Sequence, residues 1–150
     1  MKNDYSKVWQ RARQTFSLSQ HSVHGPQHWK RVEENSLAIA KHSGADIDVV
    51  KLFAALHDVA RQDDGSDPQH GPRAALLAEQ WRGELFELDG ERFQNLLIAI
   101  RDHTKAVVSD NATIGTCWDA DRLDLPRVGI MPRATYLSTD AAKRLLKQKR

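Results

Sequence analysis

Apolar residues recur along this chain at spacings of three and four, and no stretch alternates apolar and polar positions as a half-buried strand would. The pattern predicts an all-α fold of about six to seven helices. A first helix spans positions 4 to about 19, with Tyr5, Val8, Trp9, Ala12 and Phe16 at helical spacing. Gly25-Pro26 opens a second, running to about His42, because proline suits the first helical position. Trp29, Val32, Ser36 and Ile39 share one of its faces, and Gly44 stops it. Asp46 can cap a third, over about 49–60. A fourth begins at Pro72 and reaches about Trp81, and a fifth covers about 91–105 with Phe93, Leu96, Leu97 and Ile100 inward. His103 shares that apolar face. A sixth is expected over 114–124, ended by Pro126, and a short seventh over 140–148, capped by Ser138 or Thr139. Positions 62–71, 83–90 and 127–137 read as loops or irregular segments.

The third helix differs from the others. Leu52-Phe53-Ala54-Ala55-Leu56 is apolar without a break, so that helix lies in the core, and it runs directly into His57-Asp58. An imidazole and a carboxylate held there offer one nitrogen and one hard oxygen ligand, a set that suits a divalent metal. A hydrogen-bonded core histidine beside a capping aspartate is the plainer alternative.

Composition narrows the class. The 150 residues are 40% hydrophobic and 28% charged, which fits one globular domain with a real core. A net charge of +2 does not suggest a nucleic-acid-coating protein. The basic run at 143–150 reads as a solvated helix end, where cations also suit the helix dipole. One cysteine, Cys117, allows no internal disulfide. The first twenty residues lack the apolar core of a secretory signal, and no run is long enough to span a membrane. The expected location is the cytoplasm, with no membrane and no nucleic-acid partner.

His28, the pair His57-Asp58, and Asp121 fall on three further-separated helices, with His70 and His103 between them. Metal sites in bundles are built from side chains projecting inward from facing helices, so this distribution is what such a site requires. Each residue also has a plainer reading: His28 as a helix-start histidine, His103 as a satisfied core histidine, and Asp121 as a partner of Arg122 or Arg127. His24 reads as a loop residue, and His21 and His42 as surface residues.

The order His28, His57-Asp58, Asp121 resembles the H…HD…D signature of the HD-domain superfamily of metal-dependent phosphohydrolases. The surrounding words match as well: His24-Gly25-Pro26-Gln27-His28-Trp29-Lys30-Arg31-Val32, Leu52-Phe53-Ala54-Ala55-Leu56-His57-Asp58, and Trp118-Asp119-Ala120-Asp121-Arg122-Leu123-Asp124. The resemblance covers about 24–129 within a single domain of 1–150. It implies a helical bundle of the HD type in which His28, His57, Asp58 and Asp121 bind one divalent ion (Mn, Fe, Ni, Zn, Co or Mg). It further implies hydrolysis of a small phosphorylated compound, such as a nucleotide, by a metal-activated water. Asp58, Arg61 and His103 are the candidate catalytic residues. Asp119 would orient a ligand or pair with a basic side chain. Some relatives hold a second ion with two more histidines. His70 and His103 are the candidates, but the gap from Asp58 to His70 is short for that pattern, so one ion is expected rather than two.

Some relatives also carry an acidic residue where this chain has Arg61. An arginine there suits gripping a phosphate, or a surface ion pair with Asp63 or Asp64. A base, if a carboxylate, would come from Asp63, Asp64 or Asp67. Lys30, Arg31, Arg73, Lys105 and Arg122 could add positive charge at the mouth. A ligand-binding module without turnover and a di-iron oxygenase are the competing functions.

Overall fold

The computed structural model describes residues 5–148, and among them the regular structure is helical, with an isolated bridge between Arg82 and Phe86. Seven α-helices follow in order: α1 Ser6–Thr15, α2 Pro26–Ser43, α3 Ile47–Leu56, α4 His70–Trp81, α5 Gly90–Asp102, α6 Ala112–Arg122 and α7 Asp140–Gln148. Asp4, where the first helix was expected to begin, lies outside the described residues.

α3 is the central element and touches α1, α2, α5 and α6. Its residues Val49, Val50 and Leu52 through Leu56 are all buried, the packing that an apolar circumference demands. α2 lies along α6 and α3, α5 joins α3 to α4, and α7 closes over α2 and α6. Asp46 caps α3 by accepting from the Asp48 and Val49 amides, and Gly44 ends α2 in the left-handed conformation at φ 76°.

Several boundaries differ from expectation: α1 already ends at Thr15 rather than near 19, and others lie close to the site. α3 stops at Leu56 rather than near Ala60, because the His57 ring turns back onto the Phe53 and Ala54 carbonyls and the chain leaves in turns. α4 starts at His70, two residues before Pro72, since the Asp67 carbonyl takes both the His70 amide and its Nδ1. α6 starts at Ala112, because Asn111, read as part of a break, accepts from the Thr113 and Ile114 amides. It ends at Arg122, and Pro126 sits inside a 3-10 turn, Leu125–Val128, instead of terminating the helix. A second such turn, Ala134–Tyr136, gives the irregular segment its shape.

Candidate metal centre

Five helix ends converge on one buried point. His28 lies in the first turn of α2, His57 and Asp58 follow the end of α3, His70 begins α4, His103 follows α5, and Asp121 lies in the last turn of α6. His28 and His57 are fully buried, and Asp58, His70 and His103 are nearly so.

Two clusters share Asp58. In the first, His28 Nε2 lies 3.1 Å from His57 Nε2, 3.3 Å from Asp58 Oδ2 and 3.1 Å from Asp121 Oδ1. His57 Nε2 is 3.5 Å from each of those carboxylate oxygens. In the second, His70 Nε2 lies 2.9 Å from His103 Nε2, and the two approach Asp58 Oδ1 at 3.0 and 3.4 Å. Each oxygen of one carboxylate therefore faces a different pair of imidazoles.

The far nitrogen of every ring explains what the near ones can do. His57 Nδ1–H donates to the Phe53 and Ala54 carbonyls, His70 Nδ1–H to the Asp67 carbonyl, and His103 Nδ1–H to the Ile100 carbonyl. His28 Nδ1–H donates to Asp124 Oδ2 at 2.7 Å. A carbonyl or carboxylate can only accept, so each Nδ1 carries a proton and it is Nε2 of every ring that is left to face the cluster. Two Nε2 atoms 2.9 Å apart repel unless a proton or a metal ion lies between them. Asp121 Oδ1 is likewise buried without a hydrogen-bond partner, which a well-satisfied core does not leave. Facing imidazole nitrogens, an orphaned carboxylate oxygen and an acceptor fixing the far side of each ring are features that suit a metal site with its supporting shell.

The electrostatics agree. Burial would raise the Asp58 carboxyl, but His57, His103, His28 and His70 around it hold it well below the ordinary range. Burial of Asp121 is outweighed in the same way by His28 and His57. Burial would lower the His28 imidazole, yet Asp121, Asp124 and Asp58 together raise it to about 10. Without a metal those acids keep a proton on His28 Nε2, the positive charge that a bound cation would replace. Imidazole nitrogen and carboxylate oxygen suit Mn, Fe, Ni, Zn or Co better than an all-oxygen preference such as that of Mg.

The structure brings together His28, His57, Asp58 and Asp121, and adds His70 and His103. The expectation of one ion rested on a short Asp58-to-His70 gap. That gap is closed by the Asp67–His70 turn, which points the ring back at Asp58, so the ground for preferring one ion is gone.

Other expected roles fall elsewhere. Arg61 Nη1 donates to the Asp63 and Gly65 carbonyls, with Nε 3.8 Å from Asp58 Oδ1. Through Nη1 it holds the loop beside the site by its backbone carbonyls, and the ion pair with the Asp63 or Asp64 carboxylate is not formed. The loop acids are similarly engaged: Asp67 with Arg73, Asp63 with the Gly65 amide, and Asp64 with Ser22 Oγ. Asp119 accepts from the Ser138 and Thr139 amides and Thr139 Oγ1, so its partner is the start of α7, not a basic side chain. Arg122 is spent on the Ala106, Val107 and Tyr136 carbonyls. Lys30 and Lys105 are exposed, and Arg31 Nε donates to Asp124 Oδ1.

Three further residues flank the first cluster. Asp124 orients His28, a role signalled by a carboxylate one helical turn after Asp121. His24 is buried, donates from Nε2 to the Asp64 carbonyl, and places Nδ1 3.9 Å from Asp58 Oδ2. Arg127 approaches Asp121 Oδ1 at 3.9 Å. Arg127 is one of the two arginines expected beside Asp121, whereas nothing in the spacing marks His24 for this place, since loops 19–25 and 125–129 meet only in the folded chain.

No family model and no curated protein matches this sequence. A solved structure does: a protein from an uncultured Thermotogales bacterium, described as a predicted HD superfamily hydrolase, superposes with a TM-score of 0.75. The match covers 95% of this chain and 82% of that one at 23% identity. The chain has the fold of the HD superfamily.

Proposed function

We propose that this chain is a metal-dependent phosphohydrolase acting on a small phosphorylated compound, with two divalent ions held by the six converging residues. The observation that carries the reading is the division of Asp58 between two imidazole pairs, Oδ2 toward His28 and His57 and Oδ1 toward His70 and His103. Divalent ions so paired supply a nucleophilic water at neutral pH and charge stabilisation on a transferring phosphoryl group. The chain's own residues fix the geometry. Asp124 and three backbone carbonyl sites hold the imidazoles, Arg61 pins the adjoining loop, and burial keeps bulk water from the ligands. Asp121, with its side chain 17% exposed against 3% for Asp58, marks the side on which a substrate enters.

The test pairs metal analysis of the purified protein with turnover of a panel of phosphate esters, nucleotides included. Two ions per chain and activity abolished by His57→Ala and by Asp58→Ala are expected. A fully loaded protein inert across the panel would sink the proposal.

The second cluster favours one other reading. His70, His103 and Asp58 form a two-histidine, one-carboxylate set of the kind found in non-haem iron oxygenases. An iron-loaded, coloured protein that consumes oxygen and lacks phosphatase activity would establish that reading instead.

A further inference from the structure

Among the guanidinium groups around the centre, most are committed. Arg122 caps three carbonyls, Arg73 is paired with Asp67, and Arg61 is tied through Nη1 to the Asp63 and Gly65 carbonyls. Arg127 is different. Its side chain is 10% exposed, with Nε donating to the Val23 carbonyl at 2.9 Å and Nη1 to the Asp124 carbonyl at 3.0 Å. Nη2 has a 3.5 Å contact with His24 Nδ1 and stands 3.9 Å from Asp121 Oδ1, too far for a hydrogen bond. A guanidinium has five N–H donors. Two of Arg127's are used on carbonyls and one on a long imidazole contact. The plane is thus locked at both ends while Nη2 keeps a donor directed to the rim of the first cluster.

We propose that Arg127 grips a non-bridging oxygen of the substrate's phosphate, and that the substrate is a phosphomonoester. This rests on the phosphohydrolase reading above. A monoester has three non-bridging oxygens. With one directed to each cluster, the third remains for a fixed donor at the rim, whereas a diester has no third oxygen to offer. His24 acts as a positioning residue: its Nε2–H is tied to the Asp64 carbonyl, so Nδ1 presents a lone pair that holds Nη2 in place.

The experiment measures binding of inorganic phosphate to the metal-loaded full chain by calorimetry, for wild type, Arg127→Gln, Arg127→Lys and the remote control Arg11→Gln. Loss of a charged hydrogen bond weakens binding about ten- to hundredfold, so that loss is expected for Arg127→Gln. Arg127→Lys keeps the charge without the fork and falls between. Arg11→Gln matches wild type, and the metal content is the same throughout. Steady-state kinetics should show the loss chiefly in KM for monoesters. Phosphate affinity within twofold of wild type in either Arg127 variant, even with a lowered Tm, overturns the inference and leaves the phosphohydrolase reading standing. If Arg127→Gln loses its metal, Arg127→Lys is judged by the same threshold. A loaded wild type that binds no phosphate at millimolar concentration overturns both.

Discussion

Asp58 is the residue on which both clusters depend, and its two oxygens predict an asymmetry among ligand substitutions. On the proposed two-ion reading, Asp58→Ala should lose both ions, His28→Ala the first and His70→Ala only the second, as counted by metal analysis after dialysis. Asp124 acts one bond further out. It accepts the His28 Nδ1 proton and is itself held by Arg31 Nε at 2.8 Å. Partners of this kind typically contribute ten- to a hundredfold in metal affinity. Asp124→Asn should therefore weaken the first ion by about that factor in a competitive titration while leaving the second in place.

At the scale of elements, α4 and α5 approach closely because Gly71 has no side chain. A Cβ there would lie 2.6 Å from the Arg101 carbonyl oxygen and 3.0 Å from that of Ile100. Backbone cannot yield as a flexible side chain would, so Gly71→Ala must push the helices apart. A loss of about 1–3 kcal/mol in urea unfolding is expected. Because His70 and His103 are mounted on those two helices, second-ion affinity should fall with it. The start of α3 gives a pH prediction. The Arg92 guanidinium, against some burial and with help from the Val49 and Asp48 amides, holds the Asp46 carboxyl below its usual value. A folded pKa below the unfolded value of about 3.9 means stability fully present above that pH and lost as pH falls through the lower, folded value. Wild type should lose urea resistance on acidification below about pH 4. Asp46→Asn, which still caps but cannot ionise, should lose less over the same range.

For the molecule as a whole, ions bound only by the folded chain stabilise it by mass action. At a free concentration a hundred times Kd the gain is about 2.7 kcal/mol per site. For a chain of this length that corresponds to roughly 5–10 °C in Tm for one site. Chelation should lower the melting temperature by at least this much, and re-addition of the right ion should restore it. Asp58→Ala should show no response to chelator. No described helix is long and apolar enough to cross a membrane.

The helices, their order and the burial of α3 are legible in the sequence, because helical periodicity and caps such as Asp46 and Gly44 are local properties. So is the company of His28, His57, Asp58 and Asp121, through the ordered motifs they belong to. Where each helix begins at the site is not legible. His70 starts α4 only because its ring and amide both bond to the Asp67 carbonyl, and that turn sets the second imidazole pair against Asp58. Nor could spacing show that Asp119, two residues from Asp121, serves the distant start of α7, or that Arg127 and His24 meet across a sequence separation of 103 residues. The sequence by itself determines which side chains can ligate and which faces must be buried. The tertiary structure alone decides which lone pairs end up facing one another, because that depends on how the helix ends converge.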